Sequence, residues 1–301
     1  MSTEKPFDRH RTAPALLAAL DARLRTRAQG SGLDINRLRR QVAFERLLVR
    51  LAADSGATWV LKGGLALELR LADRSRSTKD LDIAFTSRSE HGEDIRAQLL
   101  DLLAEDVAED HFVFAIGLPK QLSDDQAGRP GWRFPVDVKL AGKTFVNVRL
   151  DVVARADEIH GGVERLTFPS ALAFAGYPQA VTVDAIDVFQ HAAEKFHALT
   201  RDYGDRPNTR AKDLVDLVLL IEQGLIAPDE RIVDRLDTVF SVRGSHTLPL
   251  RLPAPPAAWR SDYTRLAADL DVEARTVDEA HSLVTRFWDA CTGIGEEDSL
   301  S

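Results

Sequence analysis

The sequence predicts a mixed α/β core that follows two N-terminal helices and precedes a helical region. Apolar residues recur at helical spacing over 13–28 and 35–53, whereas short segments between about residues 58 and 153 alternate apolar and polar side chains, as strands do. Helical spacing returns at about residue 183 and continues to about residue 291. The three expected regions are N-terminal helices (1–55), an α/β core (56–170) and a helical domain (171–301).

The individual elements follow from local patterns and turn residues. Gly30-Ser31-Gly32 separates the first two helices, and Ala141-Gly142-Lys143 is a hairpin turn between two strands. Four prolines within Pro249 to Pro256 predict an extended connector in the helical region. Between and after these signals we expect strands over 58–61, 80–85, 111–118, 132–140 and 144–153, and helices over 63–72, 90–109, 183–199, 211–223, 229–240, 258–270 and 276–291.

Composition and charge exclude several classes of protein. The chain has 301 residues and a formal net charge of −8, which argues against a protein that coats nucleic acid through a global positive field. Its single cysteine, Cys291, excludes an internal disulfide and a four-cysteine zinc site. No apolar run is long enough for a membrane span, and the polar first residues do not resemble a signal peptide. We therefore expect a soluble cytoplasmic protein with no membrane partner.

Asp80 and Asp82 are the first candidate site residues. They lie two apart on an expected strand, so their side chains point to the same face, while Leu81 and Ile83 point to the core. Two neighbouring carboxylates repel each other unless a cation lies between them, and such oxygen ligands suit Mg²⁺. The alternative is a pair of solvated acids at the edge of a strand.

A third acid, Asp151, lies on the polar face of an otherwise apolar strand. If this strand pairs beside the strand of Asp80 and Asp82, three carboxylates converge, as two metal ions that clamp a phosphoryl transfer require. Asp137 is the rival third acid. Its neighbour Lys139 on the same strand face predicts a surface ion pair for Asp137 instead.

Lys62, Gly63 and Gly64 lie between an expected strand and an expected helix. Glycines at this position let the backbone approach a ligand closely, and the N–H groups at the start of the helix can bind phosphate. The alternative is an ordinary tight turn.

The helical region offers further charged candidates. Lys195 lies on an otherwise apolar helix, from which its long side chain could reach a triphosphate. Asp213 could steer Lys195 or act as a local base, and Lys212 and Asp216 have the spacing of an intrahelical ion pair. His160, His191 and His197 lack the spacing of a zinc site, so we interpret them as structural or surface histidines.

Arginines cluster in two segments, residues 20–50 and 195–212, which could contact an RNA backbone. In the second segment we expect Arg206 and Arg210 to contact the phosphates of an acceptor. For the first segment, a solvated arginine-rich helix is an equal alternative.

The order of these segments resembles one known family, the AbiEii/AbiGii-type nucleotidyltransferase toxins, which include the MenT toxins of type IV toxin–antitoxin systems. The resemblance extends from about residue 62 to residue 217 and is stronger in its combined order than in any one segment. The segments that carry it are Lys62-Gly63-Gly64, Arg76-Ser77-Thr78-Lys79-Asp80-Leu81-Asp82, Leu150-Asp151-Val152, Ala193-Glu194-Lys195 and Arg210-Ala211-Lys212-Asp213-Leu214-Val215-Asp216-Leu217.

The resemblance implies a core similar to that of DNA polymerase β and an enzyme that transfers a nucleoside monophosphate from an NTP to a tRNA 3′ end. It also implies two Mg²⁺ ions, growth arrest through blocked aminoacylation, and a cognate antitoxin. A nucleotidyltransferase that acts on protein or small molecules, or a nucleotide-binding regulatory module without turnover, remains open. The expected site residues are Asp80, Asp82 and Asp151 (metal and catalysis), Lys195 and Asp213 (catalysis), Lys62, Gly63, Gly64, Arg76, Thr78 and Lys212 (NTP), and Arg206 and Arg210 (RNA). For Thr78, a hydroxyl that caps the entry to the strand is the favoured alternative.

Overall fold

An open mixed sheet lies at the centre of the chain, as the sequence predicts. The computed structural model describes residues 12–53, 59–71, 74–85, 91–106, 108–122, 131–153, 162–205 and 208–293. Within these residues the strand order is β3-β5-β6-β2-β1-β8-β7, with β4 paired to β5. The strands are β1 (Trp59–Lys62), β2 (Asp80–Phe85), β3 (Phe112–Ile116), β4 (Lys120–Gln121), β5 (Gly131–Leu140), β6 (Lys143–Val153), β7 (Val163–Pro169) and β8 (Ala180–Ile186).

Two strand pairs are parallel, β2 with β6 and β1 with β8, and the other pairs are antiparallel. The β5–β6 hairpin turns through Ala141 and Gly142, which both have positive φ, as the expected hairpin turn requires. Because β2 lies between β1 and β6, this arrangement brings the segments that carry the candidate acids next to one another.

Helices cover the sheet and form a second core. The helices in the described residues are α1 (Ala13–Ser31), α2 (Ile35–Ala53), α3 (Gly63–Leu71), α4 (Gly92–Ala104), α5 (Val188–Thr200), α6 (Ala211–Glu222), α7 (Glu230–Arg243), α8 (Trp259–Leu270) and α9 (Val277–Thr292). Leucines of α1 and α2 pack in one hydrophobic core with the strands. A second core joins α5 to α9 with Leu67 and Leu71 of α3, so α3 links the two cores.

The sheet continues beyond the residues that the sequence assigned to it. We expected a helix to begin at about residue 183, which was wrong: Val183 and Ile186 belong to β8, and the helix begins at Val188. The side chain of Asp187 caps this helix by accepting a hydrogen bond from the Gln190 N–H at 2.8 Å. β7 and β4 were not predicted. The division into three regions stays a prediction, with the sheet ending at Ile186 rather than near residue 170.

The helix expected over 90–109 ends early, at Ala104. The Asp106 carboxylate accepts hydrogen bonds from the backbone N–H groups of Asp110 and His111, at 2.9 and 2.8 Å, and so holds a turn there. Glu109 and His111 have positive φ, which a helix does not allow. The local hydrogen bonds of this aspartate therefore replace the continuing helix.

Much of the N-terminal arginine segment serves structure. Arg50 donates to Asp110 Oδ1 at 2.7 Å and to the Phe112 carbonyl at 3.0 Å, and Arg46 is as fully buried as Arg50. Arg37 is 3.2 Å from Glu68, and Arg39 is 2.9 Å from Asp21. These four arginines therefore bind acids within the chain, so neither an RNA contact nor the solvated helix given as the alternative describes them.

Within the described residues, none of the helices combines the length and the apolar character needed to cross a membrane.

Candidate active site

The three candidate acids lie at neighbouring positions of two parallel strands. Asp82 of β2 is paired in register with Asp151 of β6, and Asp80 is paired with Arg149. On the other side of β2, Asp82 is paired with Lys62 of β1. The pairing of these two strands, on which the convergence of the three carboxylates depends, is therefore present. Because neighbouring residues in register point to the same face, the three carboxylates share one face of the sheet.

Gly63 and Gly64 begin α3 directly against these acids. Gly63 has φ +60°, and a Cβ on it would lie 2.2 Å from Asp82 Oδ2. A Cβ on Gly64 would lie 2.9 Å from the Thr78 hydroxyl. The Gly64 N–H donates a hydrogen bond to the Asp82 carboxylate. The close approach of Asp82 and Thr78 therefore requires glycine at both positions, which an ordinary tight turn does not.

Two arginines that the sequence analysis did not select bind the acids. Arg133 of β5 donates to both oxygens of Asp151, at 2.8 and 2.6 Å, and lies 3.6 Å from Asp80. Arg149 donates to Asp80. The sequence carries a signal for both residues: Arg149 alternates with the apolar residues of its strand as Asp151 does, and Arg133 lies on the polar face of β5.

The negative charge of Asp82 is balanced less fully than the charges of Asp80 and Asp151, each of which is bound by an arginine. Burial raises its pKa to about 6, and the negative charges of Asp151 and Asp80 add to this increase. Lys62 and the Gly64 N–H act in the opposite direction but do not cancel it. The centre of the site therefore carries negative charge that a bound cation would neutralise.

The donor set suits Mg²⁺ by chemistry, since carboxylate oxygens are its usual protein ligands. As the side chains lie, however, no three His, Cys, Asp or Glu groups in the described part of the chain are arranged to hold a metal ion. Arg133 and Arg149 bind the carboxylates of Asp151 and Asp80 instead. An ion at this site would thus compete with the two arginines.

Lys62 connects the sheet to the helical region. Its ammonium lies 2.9 Å from Glu194 Oε1 of α5, and Arg243 of α7 lies 3.3 Å from the other oxygen of Glu194. Although burial alone would raise the pKa of Glu194, Lys62 and Arg243 hold it well below its usual range. Glu194 therefore stays ionised and fixes Lys62 next to Asp82.

A second buried ionic cluster joins Arg76, Lys195, Asp213 and Asp216. Lys195 Nζ lies 2.6 Å from Asp216 and 3.2 Å from Asp213, and Arg76 donates to both oxygens of Asp216. Burial would lower the pKa of Lys195, but the two aspartates raise it above its usual value. The expected link between Asp213 and Lys195 is thus present. The intrahelical Lys212–Asp216 pair that their spacing allows is not present, because Arg76 and Lys195 bind Asp216.

The remaining candidates differ in their placement. The Thr78 hydroxyl is buried and donates to the Asp80 carbonyl at 2.9 Å, as a residue that caps the strand entry does. Lys212 is exposed on α6. Arg210 lies 3.3 Å from Asp213, and Arg206 lies outside the described residues. Asp137 pairs with Lys139 at 3.5 Å, as expected for a surface ion pair.

Of the three histidines that the sequence analysis considers, the two in the described residues, His191 and His197, are structural. His191 is buried and its Nδ1 lies 2.9 Å from the Arg70 guanidinium. Burial, followed by the charges of Lys195 and Arg70, lowers the pKa of His191. His197 contacts the Ser245 hydroxyl at 2.8 Å. His160 lies outside the described residues.

The mixed sheet, the Gly-Gly turn facing the Asp-x-Asp strand and the third acidic strand are the features that the resemblance to nucleotidyltransferases implies. A family model described as "Nucleotidyl transferase AbiEii toxin, Type IV TA system" matches residues 46–290. The chain therefore belongs to the AbiEii family of nucleotidyltransferase toxins in type IV toxin–antitoxin systems. Membership implies an NTP substrate and a cognate antitoxin.

Several solved structures match this chain. MenT4, a nucleotidyltransferase toxin from Mycobacterium tuberculosis H37Rv, has a TM-score of 0.51 at 19% identity over 92% of this chain and 95% of its own. A putative nucleotidyltransferase from H. pylori has a TM-score of 0.43 at 15% identity, covering 86% of this chain and 96% of its own. The first likeness supports the predicted fold. A comparison with curated proteins gives no significant match.

Proposed function

We propose that this protein transfers a nucleoside monophosphate from an NTP to the 3′ end of a tRNA and so blocks aminoacylation and growth. The observation that carries the proposal is the register of β1, β2 and β6, which places Lys62, Asp82 and Asp151 side by side beneath the Gly63-Gly64 turn. The acceptor, the metal ions and the individual residue roles are part of the proposal.

The NTP phosphates are assigned to the start of α3. Gly63 and Gly64 leave no side chain between the backbone and the carboxylates, and the N-terminus of a helix favours bound phosphate. Lys62 lies beside Asp82, and Arg76 and Lys195 are held together through Asp216. These cations would stabilise the negative charge that develops on the phosphates during transfer. Lys212, which is exposed, would act only at the periphery of the bound NTP.

The chemical step is a displacement at the α-phosphorus. The acceptor hydroxyl oxygen forms a bond to that phosphorus, the bond between the α- and β-phosphates breaks, and pyrophosphate leaves. Once Arg133 no longer binds the Asp151 carboxylate, Asp151 takes the hydroxyl proton. Asp213 orients Lys195. Two Mg²⁺ ions held by Asp80, Asp82 and Asp151 would supply charge neutralisation for the attacking and leaving oxygens.

We assign the acceptor to the helical region, because it carries further positively charged side chains. Arg210 is the N-cap residue of α6 and lies beside Asp213. Arg206 lies four residues before it in the sequence. Phosphate contacts by such arginines position a nucleic acid without reading its sequence. The identities of the NTP and of the tRNA are therefore questions for experiment.

Incubation of the protein with Mg²⁺, each labelled NTP in turn and purified tRNA tests the proposal, with total protein and a small-molecule extract as parallel acceptors. Label at the tRNA 3′ end supports the proposal. Label in protein or small molecules instead identifies a nucleotidyltransferase with another acceptor. Nucleotide that is bound but not consumed in any mixture identifies a regulatory module.

A further inference from the structure

A small pocket lined by basic side chains lies in the helical region, between the end of α5, the start of α6 and the end of α7. Its volume is about 80 Å³. We call it the arginine pocket. The polar side chains that line it are His197, Arg201, Tyr203, Arg210, Arg243 and Ser245.

Tyr203 holds two of the arginines in place. Its hydroxyl donates to the Ala198 carbonyl at 2.9 Å and accepts from Arg210 Nε at 2.8 Å. The guanidinium groups of Arg201 and Arg210 each lie 5.5 Å from the centre of the Tyr203 ring. Arg201 Nε is buried and has no hydrogen-bond partner among the described residues. A buried donor without a partner is costly. Because Nε is too buried for a ligand in the pocket to reach, a ligand would be bound through the outer nitrogens of the Arg201 guanidinium.

Positive charge around the pocket exceeds the negative charge that could balance it. Arg210 lies beside Asp213 and Arg243 beside Glu194, but each of these acids is also bound by a lysine of the site. Arg201 is not paired with either acid. The pocket therefore has the charge of an anion site.

The histidine of the pocket adds no positive charge of its own. Burial lowers the pKa of His197 to about 3, and the charge of Arg243, the neighbouring His246 and the charge of Arg201 contribute in the same direction. His197 is therefore neutral at physiological pH, and its Nε2 shares a hydrogen bond with the Ser245 hydroxyl. The anion would thus be bound by the guanidinium groups and by neutral hydrogen-bonding groups.

The pocket is large enough for a phosphate group. A water molecule needs roughly 10–15 Å³ of such space, so about 80 Å³ leaves room for a single phosphate. The pocket is lined by neither Gly63 nor Gly64, so it is a separate site from the NTP position there. Arg210 links the two sites, because it contacts Asp213, which contacts Lys195.

We propose that the arginine pocket binds one backbone phosphate of the nucleic-acid acceptor and so positions its 3′ end toward Lys195 and the acids. This inference rests on the proposed function. It adds Arg201, Tyr203 and Arg243 to the acceptor site, with Arg201 as the residue that contacts the phosphate and Tyr203 as a positioning residue.

The test is the binding of fluorescently labelled tRNA to the full-length protein, measured without NTP over a series of salt concentrations. Arg201→Gln should weaken binding and lower the salt slope by about 0.7 to 0.9, the contribution of one phosphate contact. Arg201→Lys keeps the charge and should retain the slope. Arg260→Gln is the matched control, because Arg260 is an exposed arginine of α8 that pairs with Asp278. It should leave the slope unchanged.

NTP binding in the presence of Mg²⁺ is measured with the same variants and should not change. An unchanged salt slope in Arg201→Gln would overturn the inference, as would an equal loss of NTP and tRNA binding. Transfer of labelled nucleotide to tRNA by the wild-type protein tests the proposed function separately. If the wild-type protein labels tRNA while Arg201→Gln binds it normally, the pocket alone is refuted. A wild-type protein that neither binds nor labels tRNA refutes both.

Discussion

Replacing Gly63 by alanine tests the geometry of the site through a single added methyl group. Gly63 has φ +60°, in the left-handed region, where a residue with a Cβ costs roughly 1–2 kcal/mol. The new Cβ would also lie 2.2 Å from Oδ2, 2.6 Å from Cγ and 2.8 Å from Cβ of Asp82. Rotation of the Asp82 side chain cannot relieve the last contact, because this Cβ is fixed by a strand that is paired on both sides.

Gly142→Ala is the matched control. Gly142 has φ +71° in the β5–β6 turn, and nothing lies within 4 Å of a Cβ built there. It should therefore lose only the backbone term of about 1–2 kcal/mol and keep its activity. Gly63→Ala should lose more stability than this, because β1 or β2 must also shift.

The assay measures urea unfolding and nucleotide transfer for both variants. A displacement of a catalytic group by about 1 Å can lower a rate on the order of 100-fold, and we expect a loss of that size for Gly63→Ala. Equal stability and equal activity of the two variants would refute the argument that this glycine is required by the approach of Asp82.

Two further predictions concern stability. Asp216→Ala leaves the buried Lys195 and the partly buried Arg76 without their shared partner and should cost about 3–5 kcal/mol in urea unfolding. Asp262→Ala, at an exposed ion pair, should cost less than about 0.5 kcal/mol. Similar losses in the two variants would contradict the burial argument. Because the pKa of His197 in the folded state, about 3, lies below its unfolded value of about 6.5, the stability it contributes is complete above about pH 6.5 and declines as the pH falls toward 3. His197→Gln should therefore lose less stability than the wild-type protein between about pH 7 and about pH 5, with a difference of at most about 1.4 kcal/mol per pH unit. Parallel pH profiles of the unfolding free energy for variant and wild type would contradict this.

Local sequence patterns predict those parts of the fold whose determinants are local. The alternation of apolar and polar residues around Asp80 and Asp82 identifies β2, and the glycine pair identifies the start of α3. In both places the spacing of apolar residues and the turn residues are enough to define the element. The stretch from Ala180 to Ile186 was partly assigned to a helix. It is a strand because it pairs with β7 and β1, and the pairing with β1, more than a hundred residues earlier in the chain, leaves no local signal.

For the site too, the sequence predicts local features but not the contacts between distant segments. The face on which Asp151 lies follows from its own strand, but its pairing with Arg133 depends on the register of the β5–β6 hairpin. Asp216 shows the same limit. Its spacing from Lys212 suggests a helical pair, whereas the structure brings Arg76 and Lys195 to it from two other segments. Contacts between distant segments decide which charges meet.

The most direct test is the mass and the 3′-end sequence of tRNA after incubation with Mg²⁺, NTPs and either the wild-type protein or Asp82→Asn. Aspartate and asparagine have nearly the same shape, so this change removes a charge from the centre of the carboxylate cluster while the β2 pairing is retained. With the wild-type protein we expect tRNA to gain nucleoside monophosphate at its 3′ end, and with an Asp82→Asn protein of unchanged fold we expect no gain. Modification by the variant at the wild-type rate, or tRNA left unmodified by the wild-type protein with every NTP, would contradict the assignment of transfer to these acids.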